Sequence, residues 1–148
     1  MPYLRITCPA LEREKYAAIA AELTQSVNDL FYNPRGRVTQ EELKERTTVH
    51  FVPYSEGELF VGGTPPAQRG HADVTLELSD WYMSIKQQRK VATQMTPLIA
   101  RLFDIPATKT NNINFRFHAY PPTDFAVGGR LLSDLIPLAG QLAKRFFG

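Results

Sequence analysis

The sequence predicts an α/β chain of the α+β kind, with two tandem β-α-β units whose strands share one four-stranded sheet and whose two helices cover one face. Three observations predict it. The hexapeptide Glu58-Leu59-Phe60-Val61-Gly62-Gly63 recurs 66 residues later as Asp124-Phe125-Ala126-Val127-Gly128-Gly129. Each half opens on residues that alternate apolar and polar with the period of a half-buried strand. A long stripe with helical spacing follows each of those runs. At 148 residues, 43% hydrophobic and 22% charged, the chain suits one core and not two independent ones. We therefore expect a single domain over 1–148, built of repeat one (2–63), repeat two (72–129) and a C-terminal segment (130–148).

In the first strand Leu4, Ile6 and Cys8 share the core face, and Tyr3, Arg5 and Thr7 the other. In its counterpart Val74, Leu76 and Leu78 face inward and Asp73, Thr75 and Glu77 outward, which aligns Pro2 with Ala72. A helix over about 11–32 follows from Tyr16, Ile19, Ala20, Leu23, Val27 and Leu30, with Pro9 suited to its first turn. The second helix, about 85–103, carries Ile85, Gln88, Ala92, Met95, Ile99 and Leu102. Ser84-x-x-Gln87 reads as its capping box, and Pro97 should bend it. Leu30-Phe31-Tyr32-Asn33-Pro34 is echoed by Leu102-Phe103-Asp104-Ile105-Pro106, so both helices end alike. From there 28 positions lead to Gly62 but only 22 to Gly128. The six-residue insertion holds Thr39-Gln40-Glu41-Glu42, the start of a short extra helix. In the closing strands Val49, Phe51, Phe115 and Phe117 turn inward, and Thr48, His50, Val52, Asn114, Arg116 and His118 outward. The Pro- and Gly-rich stretch 64–71 reads as a connection only. Beyond Gly129, the residues Leu131, Leu132, Leu135, Ile136, Leu142 and Phe146 form an amphipathic segment interrupted by Pro137.

A net charge of +2 is too small to build the phosphate-neutralising surface of a nucleic-acid binder. No apolar run approaches a membrane span and no apolar leader opens the chain, so we expect a cytoplasmic protein without membrane partners. One cysteine excludes an intrachain disulfide and a multi-thiolate metal site, and its place in the alternation reads as buried. Three dispersed histidines give no metal signal, and no cofactor is expected. The polar sheet face is left uncovered, which predicts a homo-oligomer.

Met1-Pro2 leading straight into a strand, then a long helix, a parallel strand and Phe60-Val61-Gly62-Gly63, resembles the tautomerase superfamily over nearly the whole chain. The likeness is to its fused, two-unit members such as the 4-oxalocrotonate tautomerase-like and macrophage migration inhibitory factor (MIF)-like proteins. The resemblance implies a homotrimer and an enol–keto tautomerase or isomerase acting on a small 2-oxo acid or aryl enol. It also implies that Pro2, exposed on loss of Met1, is the general base. A secondary amine held neutral by an apolar pocket can shuttle a proton between oxygen and carbon. Were Met1 retained, Pro2 would be an amide and no base.

The family also uses a cation to hold substrate carboxylate, and here the pattern departs. Its second-strand position falls on Thr48 in one copy and Asn114 in the other. Near the first helix Arg13 is offset, and the matching stretch of the second copy holds Trp81 and Tyr82. Arg116 is the substitute, either reaching a site or pairing with Glu77 on the sheet face. Phe125 matches the family's aromatic pocket residue and reads equally as core. Asn114, His50 and Tyr82 complete the candidate substrate contacts, with His50 and His118 also readable as structural polar residues. Two other functions fit the same frame. Protonated Pro2 could direct hydration, dehalogenation or decarboxylation, with Glu58 or Asp124 as weak water-activating acids, or the chain could be a silent oligomeric binding protein.

Overall fold

A computed structural model describes residues 1–147. The sheet is built from β1 (Tyr3–Pro9), β2 (Thr48–Tyr54), β3 (Val74–Trp81) and β4 (Ile113–Tyr120), in the order β2-β1-β3-β4. The β1/β2 and β3/β4 pairs are parallel and β1/β3 is antiparallel, so each β-α-β unit supplies one parallel pair. Their crossover helices are α1 (Arg13–Phe31) and α4 (Ile85–Leu102). The architecture is the α+β one that the repeat predicts.

Between sheet and helices lies the core: Leu4, Ile6 and Cys8 of β1, Val74, Leu76 and Leu78 of β3, Ile19, Leu23 and Val27 of α1, and Val91, Met95 and Ile99 of α4. Each of these side chains removes apolar surface from water, about 1.5–3 kcal/mol for a full aliphatic side chain. The stripe on α4 is shifted from expectation. Ile85, in the open first turn, is two-thirds exposed, and Val91 takes the buried place. Ser84 caps that turn by accepting from the Gln87 amide, but the Gln87 side chain does not answer it. The helix runs on through Pro97.

The inserted helix α2 (Gln40–Glu45) has the full reciprocal box, with Glu42 N–H donating to Thr39 Oγ1 and Thr39 N–H to Glu42 Oε2. Pro9 is not in a helical turn. It pairs with Tyr54 as the last residue of β1, and the next amide, Ala10 N–H, donates to Tyr54 O. The extended ladder therefore holds the chain until Glu12. The stretch between the units is more than a connection, because Pro66 at the first helical position and left-handed Gly70 beyond the last delimit α3 (Pro66–Arg69). Arg69 on α3 forks onto Asp73, and Tyr54 Oη bonds to the same residue's backbone. That is why Asp73 is buried and not turned to solvent.

Both Gly-Gly pairs occupy the left-handed region at each glycine, as a two-residue hairpin turn requires. Gly62-Gly63 joins the Val61–Thr64 bridge, and Gly128-Gly129 joins β5 (Ala126–Val127) to β6 (Arg130–Leu131). The repeated hexapeptide is thus a repeated hairpin. After it come α5 (Leu132–Leu135) and α6 (Leu138–Phe147), and α6 returns to the end of the sheet where β1 begins.

Candidate active site

Asp80 organises the amino-terminal end of the sheet. It continues the inward register of Val74, Leu76 and Leu78, yet it carries a carboxylate and is almost wholly buried. Two cations meet it. The Met1 amine donates to Oδ1 at 2.7 Å and Lys144 of α6 to Oδ2 at 2.6 Å. Lys144 also stands 4.4 Å above the Trp81 ring. Pro2 is buried next to this group, and its carbonyl accepts from Thr48 N–H, so the first residues are held on both sides.

Burial is the dominant influence on the charged groups here. It lowers the Met1 amine below its ordinary value of 8.0 despite the opposing attraction of Asp80. Burial lowers Lys144 likewise, again against Asp80. Tyr120 is pushed up to about 12, first by burial and then by the Asp80 charge, so its phenol is a hydrogen-bond donor throughout the physiological range.

Beside this group opens a cleft of about 290 Å³ lined by Tyr82, Met83, Ser84, Ala119, Tyr120, Pro121 and Arg145. Tyr82 turns the chain from β3 toward α4 in the left-handed conformation, which a bulky residue adopts only under constraint. Its N–H donates to Tyr120 O. Phe125 stacks on Tyr120 with ring centroids 5.9 Å apart and is half-buried. Another hollow, between α1 and α4, is lined by polar residues such as Glu22, Gln25 and Asp29 and touches none of these groups.

The structure brings Pro2, Tyr82 and Phe125 to this end of the molecule and leaves His50, Asn114 and Arg116 elsewhere. The pairing of Tyr3 with Ser79 puts Pro2 level with Asp80, and Asp80 is level with Ala119. Arg116 belongs to the row Arg5–Glu77–Arg116, three residues along the strands, roughly 10 Å, and on the opposite sheet face. It is exposed, and Glu77 pairs instead with Arg5 at 3.6 Å and His118 at 3.5 Å. Asn114 lies exposed opposite Thr75. His50 Nδ1 bonds Tyr3 Oη at 2.7 Å on that same outward face. Asp80, Lys144, Tyr120 and Arg145 were not anticipated. A carboxylate in the inward register after Leu78 was the legible signal for Asp80. The other three depend on α6 folding back across the sheet end.

No protein-family model and no curated protein matches the sequence. Solved structures do match its shape. N1, a member of the cis-3-chloroacrylic acid dehalogenase (cis-CaaD) family, is 20% identical, with a TM-score of 0.66 over 96% of this chain and 97% of its own. A wild-type fused 4-OT, F6, an asymmetric trimer, is 20% identical with a TM-score of 0.68 over 91% and 99%. The chain has the tautomerase-superfamily fold. A MIF-like protein of Entamoeba histolytica, EhMIF, shares that fold at 16% identity and a TM-score of 0.64, over 88% of this chain and 97% of its own. On the tautomerase fold seen here, no helix among the described residues is long and apolar enough to cross a membrane.

Proposed function

We propose that this chain is a proton-transferring tautomerase in which Pro2, freed by removal of Met1, is the general base toward a small 2-oxo acid or aryl enol. The observation that carries the reading is the burial of Pro2 and of the amino end at the same end of the sheet as the aromatic cleft, surroundings in which desolvation lowers the Met1 amine despite Asp80 and would favour the neutral form of a terminal amine. Neutral Pro2 takes the enol O–H proton and returns it to the adjacent carbon as the carbonyl forms, with no net gain or loss of protons. The Tyr120 phenol supplies a hydrogen bond to the oxygen that carries enolate charge. A homotrimer in the cytoplasm belongs to the same reading, supported by the trimeric fused 4-OT and by the uncovered polar sheet face.

One observation favours a second reading. Asp80 attracts the protonated amine, and a Pro2 kept protonated would direct hydration or dehalogenation, chemistry that the likeness to a cis-CaaD family member supports. Phenylenolpyruvate and 2-hydroxymuconate should be assayed beside 3-chloroacrylate and malonate semialdehyde. The tautomerase reading expects enol turnover that Pro2→Ala abolishes; full activity in that variant removes the base assignment, and turnover of the halogenated acid alone transfers the assignment to the second reading.

A further inference from the structure

Loss of Met1 takes one of its two cations from the buried Asp80 carboxylate and puts the Pro2 amine opposite it, with Lys144 still in place. We infer that Asp80 and Lys144 are a positioning pair for the free Pro2 amine: Asp80 Oδ1 accepts from the amine, and Lys144, held on Oδ2, weakens the grip of Asp80 on the amine proton. The inference rests on the proposed base and names how its protonation is set.

Three observations support it. First, Pro2 lies one step beyond the Tyr3–Ser79 pair of the antiparallel ladder and so stands opposite Asp80. Both continue the inward rows of Leu4 and Leu78, and both are buried. Residues opposed in this way have Cβ atoms about 5 Å apart. Second, Oδ1 already serves an amino terminus, since the Met1 amine donates to it at 2.7 Å. Thr48 N–H holds the Pro2 carbonyl at 3.0 Å, a contact independent of Met1 that keeps the chain end in place. Third, Lys144 is delivered by a fixed element. Gln141 Nε2 donates to Ser133 O and Ile136 O at 2.8 Å each, and a Cβ on Gly140 would meet Ile136 Cγ2 at 3.2 Å, so α6 is folded closely on the turn after α5. From there Lys144 reaches Oδ2 at 2.6 Å and covers the Trp81 ring.

The titratable groups around the amino end come from four elements: Asp80 of β3, Lys144 of α6, Arg46 at the end of α2 and Tyr120 of β4. Arg46 is partly answered by Glu42 at 3.7 Å, and the Tyr120 phenol stays neutral. Asp80 and Lys144 remain as the opposed pair. The Met1 amine shows their signs: burial lowers it most, Asp80 raises it, and Lys144 and then Arg46 lower it. Lys144 thereby offsets the carboxylate, which is how a neutral base can stand beside a buried acid.

NMR titration of the Pro2 ring in the proline-labelled full chain, with loss of Met1 verified by mass, reads the amine directly and needs no substrate. Lys144→Met should move the midpoint up by about one pH unit or more, because Asp80 then acts without its counter-charge. Lys144→Arg keeps the charge and should stay close to wild type. Asp80→Asn alone should move the midpoint down. Release of α6 also hydrates the amine, so the double variant Asp80→Asn with Lys144→Met separates the two causes: the upward shift should vanish there. Near-ultraviolet circular dichroism checks that each variant is folded. An unchanged midpoint in Lys144→Met, the same rise in the double variant, a midpoint in Asp80→Asn at or above that of wild type, or a retained Met1 would overturn the inference. An amine that shifts as expected in a chain without enol turnover keeps the pair and loses the tautomerase. Enol turnover with an amine indifferent to Lys144 and Asp80 does the reverse.

Discussion

Replacing Asp80 by Asn keeps the shape of the side chain and removes the charge that two cations share. Asp80 is 1% exposed, while the Lys144 and Met1 side chains retain 23% and 33% of their exposure. Breaking a fully buried pair costs about 3–5 kcal/mol, because the remaining charge has no compensation. Partial exposure lets Lys144 and the terminus recover some hydration, which brings the expected cost to about 2–3 kcal/mol, with the lower end applying if Met1 is removed. In a chain of 148 residues each kcal/mol lowers Tm by about 2–4 °C, so Asp80→Asn should melt about 5–10 °C below wild type. Trp81, the one tryptophan, lies under Lys144, so its fluorescence should report release of α6 in the same sample. Adding Lys144→Met to Asp80→Asn removes an orphaned cation and should recover stability, a coupling of about 1–3 kcal/mol in a double-mutant cycle. A Tm within about 1 °C of wild type for Asp80→Asn, or strictly additive effects in the cycle, would refute the account of how α6 is held.

Other consequences are equally direct. Cys8 is fully buried and its thiol is pushed up to about 12 from 9.0, so it should resist thiol reagents until the chain unfolds. Because the folded value is the higher one, the contribution of Cys8 to stability is present below pH 9 and lost as pH rises toward 12. Cys8→Ala should flatten that alkaline slope in urea titrations at pH 8 to 11. Leu23→Ala removes a side chain with no exposure from the centre of α1 and should cost about 2–5 kcal/mol by chemical denaturation. Thr39→Ala breaks the capping box of the exposed helix α2, which should raise amide exchange at Glu42 and Leu43 at a stability cost of about 1 kcal/mol.

Much of the fold was legible because its signals are local or periodic. Alternation in 3–8 and 74–78 fixed which faces pack, and the repeated Val-Gly-Gly marked two hairpins because only glycine readily takes two successive left-handed positions. The departures arise where tertiary surroundings override the local pattern. Tyr54 keeps Pro9 extended, Arg69 makes burial of Asp73 tolerable, and the open first turn of α4 leaves Ile85 in water. The site was harder to read than the fold. Pro2, Tyr82 and Phe125 lie at one end of the sheet, but Arg116 shares a face with Asn114 and His50 away from it. Lys144 meets Asp80 across 64 residues of sequence, a contact that no periodicity encodes. An acid in an otherwise apolar register, as at Asp80, is tolerated because cations meet it.

The central claim is that a free Pro2 amine does the chemistry, and the intact mass of the untagged, purified protein tests it most directly. The account predicts a mass lower by one methionine residue, with Pro2 as the first residue and enol turnover lost when its amine is blocked. A mass that retains Met1 would make Pro2 an amide and contradict the claim.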